Sequence, residues 1–466
     1  MSRPTARVPR QPVAGPRRIL AFWLPLAATW LMMAVEGPYV AAIVARLADP
    51  TVNLAAYGVA FSFAFIAEAP IIMVMTASNA LVHDRHSFLK LRRFVYALNA
   101  VLSAAIAVAV YPPLFRFVTD AVIGLPADVA RLTHIATALL VPWPAAIGYR
   151  RFYQGILVRH HMPRRVAYGT VVRLVSMSVS ALALATLVHW PGACIGSLAL
   201  LTGVIAEAVA SRVMARHVVH QLLHPTTSEV PAVSDVSVGA TMPARLTTRD
   251  ILAFYYPLAL TSLLAIAVSP LVTFFLGRSR SALDSLAVLP VISGLVFLFR
   301  SGGIAYQEVA VALVGPNPDN ERPVARVAAG LAALSSLALV VLLFTPLVHV
   351  YFAKLAGLPD ELARFAVWPA RVLVVVPALE YLLTYQRSRL ILARHTRPIT
   401  VAAAAEVITV TAGLVVCVSL MDLVGALAAA CAMFAGRIAG NAVLLLAHGG
   451  PTRDVVPIGG TTEPLP

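Results

Sequence analysis

The chain has 466 residues, 59% hydrophobic and only 12% charged, with 36 Lys and Arg against 21 Asp and Glu for a formal charge of +15. A water-soluble domain carries roughly 25% charged residues, so a surface this poor in charge excludes an ordinary globular protein and makes lipid the solvent for most of the chain. The basic residues punctuate apolar segments, which points to membrane topology and anionic headgroups and not to a nucleic-acid partner.

Residues 1–18 are rich in Arg and Pro and lack a small-residue cleavage site after a short apolar core, so they read as a retained basic tail and not a signal peptide. Apolar stretches then recur, and each needs about 20 residues to cross a hydrocarbon core roughly 30 Å thick. No stretch alternates apolar and polar residues as a barrel strand does, so the spans are helices, whose backbone groups are satisfied internally. Spans are expected at 19–46, 52–82, 94–118, 132–157, 165–188 and 193–215. A second set is expected at 250–277, 284–314, 325–353, 362–386, 399–421 and 423–447. Between them a polar stretch beginning at His217, with Pro225, Thr226, Thr227, Ser228 and Pro231, lacks helical periodicity and reads as a linker over 217–249. The chain therefore divides into an N-terminal bundle (19–216), the linker, a C-terminal bundle (250–448) and a tail (449–466). The expected fold is an all-α integral membrane protein of about twelve transmembrane helices.

Orientation follows from Lys and Arg. One side collects twenty-three of them, in the N-tail, the second and fourth loops, the linker, the eighth and tenth loops and the C-tail. The other side has seven: Arg46, Arg116, Arg131, Arg278, Arg280, Lys354 and Arg364. The positive-inside rule puts the first set and both termini in the cytoplasm.

The two halves repeat. Ile19-Leu20-Ala21-Phe22-Trp23-Leu24-Pro25-Leu26-Ala27 matches Ile251-Leu252-Ala253-Phe254-Tyr255-Tyr256-Pro257-Leu258-Ala259 at an offset of 232 residues. At the same offset Thr29 meets Thr261, Pro38 meets Pro270, Arg46 meets Arg278, Leu54-Ala55 meets Leu286-Ala287, and Tyr153-Gln154 meets Tyr385-Gln386. Arg159-His160 aligns with Arg394-His395 after a small insertion. With six spans each, both halves enter the membrane in one orientation, so the repeats are parallel. In transporters built this way the substrate site lies between two bundles that rock against each other.

Six Arg (150, 151, 173, 300, 371, 437) and six Glu (36, 68, 207, 308, 380, 406) remain inside spans. Each costs at least about 2.5–3.5 kcal/mol at a helix centre, so they are expected to face inward and to pair or to line water. Glu207, Arg150 and Arg151 lie near span ends and could snorkel, as could Arg173. Glu68 and Arg300 are repeat-equivalent and mid-span, which would set them across one cavity, one on each bundle. Glu308 lies two turns beyond Arg300, Glu36 precedes Gly37-Pro38, and Arg371 and Glu380 flank Pro377. One reading makes the arginines a site for an anionic substrate, because Arg recognises carboxylate and phosphate bidentately, with a Glu as the proton or cation site. The plainer reading makes such pairs gates or bundle fasteners, and it is favoured for Glu406 and Arg437. Candidate substrate-binding or gating residues are Arg300, Glu68, Arg371, Glu308, Tyr153, Gln154, Tyr385 and Gln386. Candidate coupling-ion residues are Glu36, Glu68 and Glu380. Pro38 and Pro70 are candidate hinges, and Trp143 between Pro142 and Pro144 marks either a broken segment or a kink.

Cys194, Cys417 and Cys431 sit in apolar spans with neither disulfide nor metal spacing. No Walker loop, nucleophile elbow or HExxH motif occurs. Neither an enzyme nor a cofactor or metal is expected, and a proton or sodium gradient would supply the driving force.

With two parallel six-helix repeats and a linker, the chain resembles the multidrug/oligosaccharidyl-lipid/polysaccharide exporter superfamily, whose best-known branch is the multidrug and toxic compound extrusion (MATE) family. Local strings are similar to the progressive-ankylosis (ANK) branch. These are Leu54-Ala55-Ala56-Tyr57-Gly58-Val59-Ala60-Phe61-Ser62, Phe254-Tyr255-Tyr256-Pro257-Leu258-Ala259-Leu260, Gly155-Ile156-Leu157-Val158-Arg159-His160, and Arg371 six residues before Pro377. The resemblance covers 19–447 and implies export by alternating access between two lobes. The ankylosis branch implies small anions such as citrate, pyrophosphate or nucleotides. The MATE branch often has an acidic residue in its first helix, where Glu36 lies. The long acidic tail of animal ankylosis proteins is missing, and the Ala/Arg/Val bias looks bacterial, so the expected location is a bacterial cytoplasmic (inner) membrane. The alternatives are a MATE-like multidrug/cation antiporter, a flippase of a lipid-linked precursor, which would open sideways between helices, and a scaffold without transport. The expected partners are a small-molecule substrate and the lipid bilayer, with the chain a monomer.

Overall fold

The computed structural model describes residues 13–160, 162–224, 246–315, 317–393, 395 and 397–448. Most of the expected N-terminal tail, the whole expected C-terminal tail, most of the linker and Arg394 lie outside these residues. The first half runs α1 (Pro16–Val44), α2 (Pro50–Glu68), α3 (Val74–Leu81), α4 (Arg85–Ala109), α5 (Pro112–Arg116), α6 (Ala127–Leu139), α7 (Trp143–Arg159), α8 (Pro163–Leu187), α9 (Gly192–Met214) and α10 (Arg216–Leu223). The second runs α11 (Thr248–Ile266), α12 (Val268–Gly277), α13 (Ala282–Val314), α14 (Glu321–Phe344), α15 (Leu347–His349), α16 (Asp360–Val372), α17 (Val376–Leu392), α18 (Arg397–Leu414) and α19 (Gly425–His448). Among the described residues the only β pairing is an isolated bridge between Arg280 and Val424.

Among the described residues, eleven helices or joined helix pairs are long and apolar enough to cross a membrane. The expected fourth span is not in that set, and it breaks into α6 and α7 at Leu140–Pro142. The expected second span breaks between α2 and α3, where Pro70 supplies no amide proton. The seventh breaks at Ala267, and the tenth breaks at Leu373–Val375 just before Pro377. The start of the expected linker is not irregular, since Arg216–Leu223 is helix α10.

The repeat is visible in the caps. Asp49 and Ser281, the residues before α2 and α13, both have positive φ, 49° and 54°. Asn53 Oδ1 accepts the Ala193 amide at 2.9 Å, and its equivalent Ser285 Oγ accepts the Ala426 amide at 3.0 Å. Each bond satisfies an amide in the first turn of a long helix, α9 or α19.

The two halves meet along α1, α2 and α13. Gly294 passes so close to α1 that a Cβ there would sit 2.9 Å from Pro38 Cγ, and a Cβ on Gly58 would lie 3.5 Å from the Pro290 ring. Small residues let membrane helices approach this closely. Ser62 and Thr273 share a hydrogen bond of 2.9 Å across the same seam. At the end holding residue 14 and the α13–α14 turn, the expected cytoplasmic end, Trp23 Nε1 donates to Gly302 O at 2.9 Å and the Ala14 amide donates to Asn320 Oδ1 at 2.7 Å.

Candidate functional site

Each half buries its own cluster of charges, and the two clusters are built differently. In the first half, α7 presents Arg150 and Gln154 one turn apart, so both lie on one face. That face meets Glu207 of α9, which is 1% exposed. Arg150 Nη1 bonds Glu207 Oε2, and Gln154 Nε2 donates to Glu207 Oε1 at 2.9 Å. Arg173 of α8 lies 3.7 Å from the same carboxylate and 2.5 Å from Glu36 Oε2 on α1. A chain Glu36–Arg173–Glu207–Arg150 thus joins α1, α8, α9 and α7. The other Glu36 oxygen, Oε1, is buried without a hydrogen-bond partner. Glu68, at the end of α2, accepts the indole N–H of Trp143 at 3.2 Å. Arg151 points the other way, with Met75 Sδ 3.9 Å from its Nη1.

In the second half Glu380 of α17, 4% exposed, is the centre. Arg300 Nε of α13 approaches it at 3.1 Å and Arg437 of α19 at 3.5 Å. Arg437 also reaches Glu406 of α18 at 3.3 Å. Arg387 lies seven residues beyond Glu380 on the same face of α17. Its Nε is buried without a hydrogen-bond partner. This cluster has three arginines for two glutamates. The first cluster, Glu36–Arg173–Glu207–Arg150, has two of each, so the positive surplus sits in the second. Arg300 keeps 24% of its side chain exposed and borders a small cavity of about 60 Å³, shared with Ser293, Leu373 and Met433.

Glu68 and Arg300, expected across one cavity, are not joined: each is tied to groups of its own half. Glu207, Arg150 and Arg173, expected to snorkel, are instead buried and paired. Spacing from a span end says nothing about which way a helix faces, and here three charged faces converge. Arg371 stands apart from both clusters. Its Nε donates to Leu343 O at 3.0 Å, and its guanidinium lies 4.8 Å from the Phe344 ring centre and 5.1 Å from that of Trp368. Glu308 is exposed. Tyr153 shares a hydrogen bond with Tyr96 at 3.2 Å beneath the Arg212 guanidinium. Tyr385 donates a long 3.5 Å hydrogen bond to Glu321 O and packs beside Tyr306 and Tyr381. Gln386, the equivalent of Gln154, is 3% exposed with both amide atoms unpartnered.

Two participants were not legible as such. Trp143 reads from sequence as a kink marker, yet it is the donor to Glu68. Arg387 falls just past the expected end of its span, and only its seven-residue spacing from Glu380 could have pointed to it.

The helical arrangement has close counterparts among solved structures. A multidrug-resistance MATE family transporter of the MOP superfamily in an inward-facing conformation superposes with a TM-score of 0.68 at 15% identity, over 92% of this chain and 97% of that one. The lipid II flippase MurJ in an inward closed conformation gives 0.68 at 12% identity, over 91% and 87%. An outward-facing MATE family transporter of the MOP superfamily gives 0.61 at 15% identity, over 93% and 95%. The chain therefore has the fold of MOP-superfamily transporters. No family model matches the sequence, and no curated protein does.

Proposed function

We propose that this chain is a multi-pass membrane transporter that exports a small organic anion by alternating access between its two halves. The fold supports the transport class, since the solved structures of this shape named above are described as transporters or a flippase. The observation that carries the anion is the surplus arginine of the second cluster. An unbalanced guanidinium in a low-dielectric interior is a standing attraction for a carboxylate or phosphate. The anion would engage the exposed edge of Arg300, with Arg387 and Arg437 behind it. Glu36 is the candidate coupling site: its carboxylate has one oxygen on Arg173 and one buried and unpartnered, so a proton could be carried there. A bacterial cytoplasmic membrane, a monomeric chain and the absence of a cofactor belong to the same reading, as does kinship with the ankylosis branch.

A second reading, a flippase for a lipid-linked anion, is favoured by the likeness to MurJ. The seam between α1 and α13 speaks against it, because it is closed at Gly294–Pro38, at Trp23–Gly302 and at Ala14–Asn320. A lipid tail could not enter there without parting the helices.

The test is uptake into proteoliposomes under an imposed proton gradient, with labelled citrate and pyrophosphate set against a cationic dye. Anion uptake should exceed the protein-free background, and Arg300→Ala should reduce it at least tenfold, about 1.4 kcal/mol or more of lost interaction. Movement of the dye alone would replace the anion reading with multidrug export.

A further inference from the structure

At the end of the bundle that carries the α1–α2 and α12–α13 turns, each half extends one arginine into the other. Arg46, two residues past α1, donates through Nη2 to Lys354 O at 2.7 Å and Leu355 O at 2.9 Å. Arg278, directly after α12, donates through Nη2 to Ala121 O at 2.6 Å. The donors are repeat-equivalent, 232 residues apart, and Ala121 and Lys354 correspond at 233. All three acceptor carbonyls belong to the last turn of a π-helical segment, Phe117–Ile123 in one half and Val350–Leu355 in the other. Carbonyls in a last helical turn lack partners within the helix and carry its negative end, so a guanidinium satisfies them and complements the dipole.

The backbone on both sides is shaped for this contact. Each π segment is followed by a glycine of positive φ, directly by Gly124 at 81° and two residues on by Gly357 at 73°. A Cβ on Gly357 would stand 2.7 Å from Arg46 Nη1, and one on Gly124 would stand 3.6 Å from Arg278 Cγ. Arg46 Nη1 also donates to Ala42 O at 2.5 Å, and the Arg278 guanidinium lies 5.1 Å from the Phe274 ring centroid. Two independent anchors, two independent acceptors and two glycines thus produce the same contact twice, in opposite directions.

We infer that Arg46 and Arg278 form a reciprocal latch that holds this end of the two halves shut, and that both must release before the end can open. The inference rests on the alternating-access part of the proposed function but not on the substrate. The latch is neutral to cargo, because it engages backbone carbonyls and no intramembrane charge.

The experiment is a distance measurement that needs no substrate. Spin labels at Trp190→Cys and Met421→Cys, both exposed at this end of the bundle, are placed in a chain with Cys194, Cys417 and Cys431 replaced by Ser. The purified protein in lipid nanodiscs should give one short-distance population. Arg46→Ala with Arg278→Ala should raise the population at longer distance about tenfold, and each single substitution by less, since one latch remains. Should the double variant fail to purify, Arg46→Lys with Arg278→Lys, which keeps charge but loses the fork, should give an intermediate shift. Superimposable distance distributions for the parent and for whichever double variant purifies would overturn the latch. A shifted distribution together with failed anion uptake would keep the latch and remove the anion reading.

Discussion

Glu207 shows most sharply what a membrane interior demands of a single side chain. It is 1% exposed and takes Arg150, Arg173 and Gln154 on its two oxygens. Breaking a buried pair by removing one partner is strongly destabilising because the other charge stays behind unpaired. Glu207→Leu should therefore cost about 3–5 kcal/mol, seen as a lower thermal unfolding midpoint of the purified protein. Adding Arg150→Met to that variant should recover part of the loss, since one stranded cation is then gone. A midpoint equal to the parent's would mean that water reaches the cluster and neutralises the argument. The presence of Glu207 inside a span was readable in the sequence, but its partners were not. They come from helices α7 and α8, and only packing brings those faces to one point.

At the scale of elements, α4 is the instructive case. The sequence places its start near residue 94, because Arg85, Lys90, Arg92 and Arg93 look like a basic loop. The helix begins at Arg85. Its first turns are amphipathic, with Phe88 and Leu91 buried and the basic residues outward or half-buried, a pattern that mean hydropathy hides. The capping signal was there to be read. Asp84 Oδ1 accepts the Ser87 amide at 2.8 Å and the Ser87 hydroxyl at 2.5 Å, while Ser87 Oγ accepts the Asp84 amide at 3.0 Å. The Ser87 hydroxyl holds the Asp84 carboxyl below its usual range. A depressed carboxyl contributes stability that is complete above its unfolded value, about 3.9, and is lost as pH falls through the lower folded value. Asp84→Ala should cost about 1 kcal/mol at neutral pH, measured as faster amide exchange in the first turn of α4. The difference between parent and variant should shrink as pH falls below about 4. A difference independent of pH would mean that the charged form of Asp84 is not what caps the helix.

On the scale of the molecule, α1 belongs to both halves. Ala14, just before it, and Ile19 in its first turn pack among Tyr306, Val309, Val324 and Tyr381 of the second half. Its last turns lie against α9, where a Cβ on Gly192 or Gly196 would meet Val44 at 3.2 and 2.9 Å. Burying apolar surface is worth about 25 cal/mol per Å², and the polar bonds of Trp23 and Ala14 fix the register of that surface. A chain divided between residues 225 and 245 and co-expressed as two pieces should therefore assemble. A tag on the second piece should carry the first through purification in near-equal amount. Trp23→Ala should lower that yield several-fold. Recovery of the tagged piece alone would mean that the covalent link is needed to hold the halves together.

Composition alone determined that lipid is the solvent of this chain, because 12% charged residues cannot solvate a surface. The offset of 232 residues determined that the fold is a duplication, since a register held across several helices needs a common backbone to keep it. Both are properties carried along the chain, so one dimension suffices to read them. The tertiary structure decided the rest. It set Arg300 on Glu380 and Glu68 on Trp143, although the repeat invites pairing the two with each other. It also turned Arg46 and Arg278, which the sequence could only assign to one side of the membrane, into matching contacts with opposite halves. The physical reason is common to these cases. A charge in a helix is satisfied by whatever the packing of distant helices brings within about 3 Å, and repeat equivalence preserves backbone position without preserving the partner found there.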